Sequence, residues 1–452
     1  MLSIVILTFF ATLVLFLGFS KNRDLILPVS VIGVALAMLC YMTQQTLWDE
    51  WFMNMMDVKG ASRIFSIVIL AIACCILPFI NEFRRRGSEE MADFSGLLIY
   101  SLIGGIMMVS YKDFMVLFLG IEILSIAMYI LAGADRRRAS SSEASLKYFI
   151  LGAFASAILL FGIALYYACT SSFRLDAEIL QNSLLLNLSY LLIFAGLAFK
   201  IALVPFHFWA PDVYQGTPTI FTATMATIVK VSGFGALYQF ISSCGIHMSE
   251  WLYWLISLVA LASIVVANIM ALQQQSVKRM LAYSGIAQAG FILIGFLNLQ
   301  AENTWPIIFY LIAYAAASLV CFLAVHFVEE ISFNDNHSAF KGLYYNNPFL
   351  AIVMSIALIS LGGGPLTAGF MAKLFVLNNA AHVGNIALVI FALIFAVLSL
   401  YYYFRLINQM FSYSKDIKTW RIEYPYAGIL AALCIGTIIA GIAPNLLVNL
   451  IK

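Results

Sequence analysis

Five charged side chains stand in runs where charge is expensive. Glu122 sits in the middle of FLGIEILSIAMYIL, Lys200 in LAFKIALVPF, Lys230 in ATIVKVSGFG and Lys373 in AGFMAKLFVL, while Lys147 in ASLKYFILG lies about one turn inside the end of its apolar run. All other acidic residues fall in loops or at helix ends. An ionisable side chain inside a membrane helix costs roughly 2.5–3.5 kcal/mol on insertion scales. Five of them cost on the order of 12–18 kcal/mol, more than the stability of a typical domain. Something other than stability keeps them. A buried ammonium exchanges its proton more readily than a solvated one, and a carboxylate beside it completes a pair whose state depends on the neighbour's charge. A row of such groups at similar depth is a proton relay.

Plainer readings stand beside this one. Lys147 is close enough to its helix end to snorkel into the interface. Lys200, Lys230 and Lys373 lie deeper, where the plain alternative is a structural ion pair with Glu122, but one carboxylate cannot neutralise three ammoniums. His207, two residues after Pro205, either extends the path or is structural, and His326 has the same two readings. His247, His337 and His382 read as solvated loop residues. The loop arginines Arg84–Arg86 and Arg136–Arg138 read as topology determinants with possible lipid or partner contacts, and WDEWF at 48–52 as an interfacial aromatic anchor.

These groups need a frame that holds them in oil. Of the 452 residues, 63% are hydrophobic and 10% charged, far from the composition of a soluble domain. The solvent of this chain is lipid, and it reads as an all-α polytopic membrane protein. Runs of about 20 apolar residues give fourteen spans, near 1–20, 25–43, 62–80, 94–111, 113–132, 144–168, 184–215, 217–241, 251–272, 280–298, 304–328, 348–378, 384–411 and 424–448. The seventh and twelfth are too long for one straight crossing. Each has an interior proline, Pro205 and Pro365, the latter behind Gly362-Gly363-Gly364. Both read as discontinuous helices, which hydrocarbon tolerates only where protein or water faces the gap.

With the N-terminus outside, fifteen Lys and Arg collect in the cytoplasmic loops against five on the other side, the remaining four being the intramembrane lysines. That bias predicts an even span count with both termini on the outer face. Pro205 and Pro365 are 160 residues apart, and YFILGAFASAILLFG (148–162) aligns with FYLIAYAAASLVCFL (309–323) at a similar shift. Five helices per unit is an odd number, so the second copy must be inverted, an arrangement that marks a transport path near the midplane. The expected division is a three-helix segment at 1–93, repeats at 94–250 and 251–411, and a last helix at 412–452. The apolar N-terminus meets its first positive charge at Lys21, the reverse of a signal peptide, so the first helix is expected to be retained.

Other classes fall away. The net charge of +2 excludes a nucleic-acid binder that works through bulk positive potential. Seven scattered cysteines without a C-x-x-C pair argue against a disulfide framework, a zinc site or an iron–sulfur site, and five scattered histidines are too few to ligate a pair of haems. Redox chemistry, a metal site and a resident cofactor are not expected.

Two segments carry a family resemblance: FKIALVPFHFWAPDVYQGTPTIFTATMATIVKVSGF (199–234) and QQQSVKRMLAYSGIAQAGFILIG (273–295). With the motif P-x-H-x-W-x-P-D-V-Y-x-G-x-P-T complete from Pro205 to Thr219, the chain resembles the antiporter-like membrane subunits of respiratory complex I over about 94–411. The resemblance implies the same fourteen-helix fold with inverted five-helix repeats and discontinuous helices 7 and 12. It also implies roles. Glu122 and Lys200 match the switching pair of the first half-channel and Lys147 the lysine that tunes it. Lys230 matches the lysine linking the halves, and Lys373 the terminal lysine. A lysine at 373, with about four residues after the last span, favours the chain type without a long lateral C-terminal helix. One departure is LGGGPLTAGFMAKLF, whose extra glycines suggest a looser second hinge than the bulkier Pro-Pro form of the family.

The expected function is proton translocation in the membrane arm of complex I, driven by NADH:quinone electron transfer. The expected place is a bacterial-type inner membrane, with other membrane subunits, lipid, protons and water as partners. NADH, FMN, iron–sulfur clusters and quinone would belong to other subunits or their interfaces. The main alternative is an Mrp-type cation/proton antiporter subunit, although one membrane carboxylate offers sodium few hard oxygen ligands. A free-standing solute carrier predicts two six-helix halves, which the pattern lacks. A structural spacer predicts intact pumping after lysine substitution.

Overall fold

The computed structural model describes residues 2–20, 23–43, 55–85, 91–177, 184–244, 250–298, 304–413 and 419–451. The aromatic segment 48–52, His247 and the charges Lys21, Arg86, Lys415, Lys418 and Lys452 lie outside them. Among the described residues the regular structure is helical, with three isolated antiparallel bridges and no longer strand. In chain order the helices are α1 (Leu2–Leu17), α2 (Ile26–Met42), α3 (Gly60–Arg85), α4 (Met91–Ser110), α5 (Phe114–Ala132), α6 (Ala139–Thr170), α7 (Leu184–Lys200), α8 (Trp209–Gly216), α9 (Thr219–Thr224) and α10 (Lys230–Cys244). They continue with α11 (Glu250–Leu272), α12 (Val277–Ile294), α13 (Trp305–Ser332), α14 (Leu343–Asn346), α15 (Pro348–Gly362), α16 (Ala368–His382), α17 (Ile386–Phe411), α18 (Tyr424–Ile442) and α19 (Pro444–Ile451).

Eleven helical stretches are long and apolar enough to cross a membrane, and α1, α7 and α15 are shorter apolar helices. A chain with this many apolar spans is a multi-pass membrane protein. Backbone polar groups in hydrocarbon must bond within their own segment, which is why the sequence resolves into helices. The final expected span, 424–448, is divided: α18 ends at Ile442, and Pro444, which cannot continue the ladder, begins α19.

The contacts divide the chain into two compact units. The first holds Met1–Ile201 with Gly216–Met248, and the second Ala202–Gln215 with Ser249–Lys452. The centre of the first unit is the stretch Thr219–Ser243, and that of the second is Val277–Asn298; both are buried on all sides. Helices α17 and α18 bury only small fractions of their surfaces. A centre that is apolar all round needs no amphipathic stripe, so any charge on it is conspicuous.

Helix starts follow the local chemistry. Asp113 caps α5 by accepting from the Met115 amide at 2.8 Å, Ser276 caps α12 through the Arg279 amide at 3.2 Å, and Asn347 caps α15 through the Leu350 amide at 3.0 Å. The α5 cap fixes the register of the helix that carries Glu122.

Candidate functional site

In the first unit the site is built around Lys200, with Glu122 as the charge that acts on it. Lys200 is the last residue of α7, just ahead of the break, and is 3% exposed. Its Nζ donates to Ser125 Oγ, and the Ser125 hydroxyl donates in turn to the Ile121 carbonyl. Two aromatic faces complete the pocket: Nζ lies 5.6 Å from the ring centroid of Tyr129 and 5.6 Å from that of Tyr148. The two rings meet edge to face with centroids 4.8 Å apart. Each desolvated cation–π contact is worth roughly 0.5–2 kcal/mol, so the lysine is held by aromatic faces and a hydroxyl. Tyr129 reaches this position because residue 152 is glycine; a Cβ there would fall 2.0 Å from the Tyr129 hydroxyl.

Glu122 sits one turn before Ser125 on α5. Its Oε1 is buried without a hydrogen-bond partner, and the carboxylate acts electrostatically on Lys200 and Tyr129. The hydrogen bond of Lys200 thus goes to Ser125, with the carboxylate at longer range. Lys147 stands apart from this cluster, as its 42% exposed side chain pairs with Glu143 at 2.7 Å, one turn away on α6. Its neighbour in sequence, Tyr148, is the residue that faces Lys200.

Lys230 is 2% exposed on the central helix of the first unit. It follows a π turn, Met225–Val229, that separates α9 from α10. Such turns concentrate at functional positions because the wider loop re-aims the next side chain.

Lys373, in the second unit, is 7% exposed and reaches back across the second break. Its Nζ donates to the carbonyls of Leu361 at 3.0 Å and Gly362 at 2.9 Å, and lies 5.0 Å from the Phe291 ring centroid. Those carbonyls are the free C-terminal end of α15, where a cation is favoured. The glycine run, whose composition suggests a looser hinge, is capped by backbone hydrogen bonds. Gly363 turns left-handed at φ 82°, its amide donates to Ser360 O at 3.0 Å, and the Gly364 amide donates to Ile359 O at 2.8 Å.

The first break spans the residues between α7 and α8. Ala202 takes a left-handed φ of 58°, as Leu366 does at 66° in the second break. The Val204 amide donates to Ser263 Oγ at 3.0 Å, and the Arg279 guanidinium holds α8 by donating to Asp212 Oδ1 at 2.6 Å and Gln215 Oε1 at 3.2 Å. His207 is 5% exposed, with Nδ1 lacking a hydrogen-bond partner.

Two buried groups, Lys278 and His337, escaped the sequence reading. Lys278, which falls in the loop between the expected spans 251–272 and 280–298, is 2% exposed and pairs with Glu329 at 3.4 Å. His326 meets Glu330 at 3.5 Å, one turn on. His337 is not a solvated loop residue: the segment around it pairs with the start of α12, its amide donating to Gln275 O at 2.9 Å and the Val277 amide donating to Asp335 O at 2.8 Å. Burial, and the Arg405 guanidinium second, hold its imidazole down at about 4. His382 is exposed, as expected.

Comparisons with known proteins fit this geometry. Residues 112–399 match the family described as NADH:quinone oxidoreductase/Mrp antiporter, TM. The chain is 38% identical to NADH-quinone oxidoreductase subunit N of Flavobacterium johnsoniae, over 96% of each chain. Its fold is similar to a chain of respiratory complex I from Thermus thermophilus, with a TM-score of 0.85 and 30% identity over 99% of this chain and 98% of that one. It is also similar to a chain of the membrane-bound sulfane sulfur reductase, an archaeal respiratory membrane complex, with a TM-score of 0.90 and 27% identity over 100% and 95% of the two chains. The match over more than half its length and the identity to subunit N across nearly all of it establish that the chain belongs to the NADH:quinone oxidoreductase/Mrp antiporter transmembrane family, in its NADH-quinone oxidoreductase subunit N branch.

Proposed function

We propose that this chain moves protons through the membrane arm of a respiratory complex I, using Glu122, Lys147, Lys200, Lys230 and Lys373 as the relay and His207 as a possible extension. It sits in a bacterial-type inner membrane beside other membrane subunits, with both termini on the outer side. Electron transfer from NADH to quinone takes place in other subunits, which hold FMN and the iron–sulfur clusters. Charge changes that arise there pass along the arm to Glu122 and Lys200. The altered pairing shifts the proton affinity of Lys230 and Lys373, so that protons enter from the cytoplasm and leave outside.

The observation that carries this reading is Lys200: an ammonium in oil, held by a hydroxyl and two aromatic faces, with the Glu122 carboxylate, whose Oε1 is buried without a hydrogen-bond partner, one turn from its hydroxyl partner. A permanent ion pair would bond the ammonium to the carboxylate directly; here the ammonium donates to the Ser125 hydroxyl instead. The fourteen-span reading is supported by the eleven long apolar stretches together with the three shorter helices. Two inverted repeats, 94–250 and 251–411, are supported by helices interrupted at matching places, α7 with α8 and α15 with α16. The segments 1–93 and 412–452 flank them.

The alternative, an Mrp-type cation/proton antiporter subunit, asks for several hard oxygen ligands. Glu122 offers one carboxylate, next to an ammonium that repels a metal cation. Replacing Lys200 or Glu122 with Ala in the assembled complex should abolish most NADH-driven proton pumping in membrane vesicles. Full pumping by both variants sinks the relay, and sodium-dependent transport by vesicles holding this chain would favour the alternative.

A further inference from the structure

The last four carbonyls of a helix have no partner inside it, and at the end of α15 all four are met from elsewhere. Ile359 O accepts from the Gly364 amide at 2.8 Å and Ser360 O from the Gly363 amide at 3.0 Å. Gly362 O accepts from Lys373 Nζ at 2.9 Å. Leu361 O accepts twice, from Lys373 Nζ at 3.0 Å and from Gln288 Nε2 at 2.7 Å. At this one oxygen a relay lysine and a neutral side chain share an acceptor.

Gln288 lies on α12 and is 3% exposed. A carbonyl oxygen only accepts, so the amide must turn its N–H groups toward Leu361 and its own oxygen away. That oxygen accepts from the hydroxyl of Tyr310 on α13 at 2.5 Å. A flipped amide would set oxygen against oxygen at Leu361, so the Tyr310 bond locks the orientation that works. Helices α12, α13, α15 and α16 are thereby tied at a single carbonyl.

Stability alone does not call for this arrangement. One more neutral hydrogen bond to an oxygen that already has a charged donor adds little, and ordering a buried glutamine side chain costs conformational entropy. The second donor matters if the first one changes. A lysine that gives up its proton holds a carbonyl less strongly, because charge-assisted hydrogen bonds are the stronger kind. Among the described residues Lys373 is the side-chain donor to Gly362 O, whereas Leu361 O keeps Gln288 as well.

We propose that Gln288 is a positioning residue for Lys373, holding the end of α15 and its two carbonyls in place whether the lysine is charged or neutral. The assignment rests on the relay given above and adds the residue that steadies its terminal member. Gln288 carries no proton itself. Tyr310 acts one bond further out, through the orientation of the Gln288 amide.

The test uses the intact complex in membrane vesicles, with NADH oxidation and acidification recorded together, so that protons moved per NADH are read for assembled complex. Gln288→Met keeps the length of the side chain and loses both bonds; it should lower protons per NADH several-fold. Tyr310→Phe should lower it less, and the double variant should match Gln288→Met. The second readout is the pH profile of pumping from pH 6 to pH 8. Lys373 is the ionisable group bonded to these carbonyls, and the titratable side chains facing Gln288 are Tyr310 on α13 and Tyr403 on α17, a residue type that ordinarily ionises near 10. The Gln288→Met profile should therefore move along the pH axis by about half a unit or more. Parent-like protons per NADH in Gln288→Met overturn the assignment, and so does a profile that sinks without moving, because the role is then structural. A double variant clearly worse than Gln288→Met overturns the link through Tyr310. If Gln288→Met does not assemble, Tyr310→Phe decides by the same two readouts. Lys373→Ala separates this assignment from the reading beneath it: parent-like pumping there removes Lys373 from the relay, whereas loss there with a parent-like Gln288→Met removes the role of Gln288 alone.

Discussion

Gly363 lies directly under Lys373. A Cβ at position 363 would stand 3.0 Å from the lysine Cδ and 3.3 Å from Nζ, and the backbone there is left-handed at φ 82°. The lysine crosses the bare backbone to reach the two carbonyls that hold it. Gly363→Ala therefore meets two obstacles. The left-handed backbone costs a residue with a Cβ about 1–2 kcal/mol, and the methyl pushes Lys373 off its carbonyls. The thermal midpoint of the purified complex should fall slightly while pumping falls several-fold, since the main damage is to position.

The pocket around Lys200 gives a graded series. Ser125→Ala removes the oxygen that accepts from the ammonium, a loss of about 1–3 kcal/mol for a buried donor. Tyr148→Phe keeps the aromatic face and should be close to neutral, whereas Tyr148→Leu forfeits about 0.5–2 kcal/mol of cation–π attraction. Pumping rates in vesicles should rank Tyr148→Phe above Tyr148→Leu. Equal rates for the two would show that the ring does not hold the lysine.

The Lys278–Glu329 pair should show strong coupling. At 2% and 14% exposure, taking away either member of the pair is costly, about 3–5 kcal/mol for a buried ion pair. Lys278→Met and Glu329→Gln should each destabilise more than half as much as the two together. A double-mutant cycle on thermal stability checks this, and strict additivity would refute it.

His337 predicts an acid limb of stability. Its folded value near 4 lies below the ordinary 6.5, so between those values the unfolded chain binds a proton that the folded chain does not. Stability therefore rises with pH across that window and is lost as pH falls from about 6.5 toward 4, by up to about 3 kcal/mol. His337→Gln should flatten this part of the curve. Thermal midpoints measured from pH 7.5 to pH 5 test it, and identical slopes for the two proteins would refute it.

Much of this site was legible from local sequence, because prolines and glycines in apolar runs are local signals. Pro205 and the 362–364 glycines located both interruptions, and the depth of Lys200, Lys230 and Lys373 followed from the apolar residues around them. Partners distant in the chain were not legible. Lys278 looked like a loop charge because Glu329 is 51 residues away, and His337 looked solvated because the bridge that buries it joins residues 276 and 336. Tyr402 and Tyr403 passed as ordinary aromatics, since nothing nearby in sequence reveals that Asn268 and Ser284 face their hydroxyls. The closed glycine cap was missed for a related reason. Composition reports how freely a segment can bend, while the bonds from Gly363 and Gly364 to the Ser360 and Ile359 carbonyls define the bend it adopts.

The widened turn at Met225–Val229 makes the aim of Lys230 a matter of chain length. Each residue of an α-helix advances the azimuth by about 100°, so excising a single residue from that turn would swing Lys230 roughly a quarter of the way around the helix without altering any charge. Insertions and deletions here should consequently be far less tolerated than point changes, even conservative ones. Such a variant would keep every ionisable group of the first unit and still point one of them the wrong way.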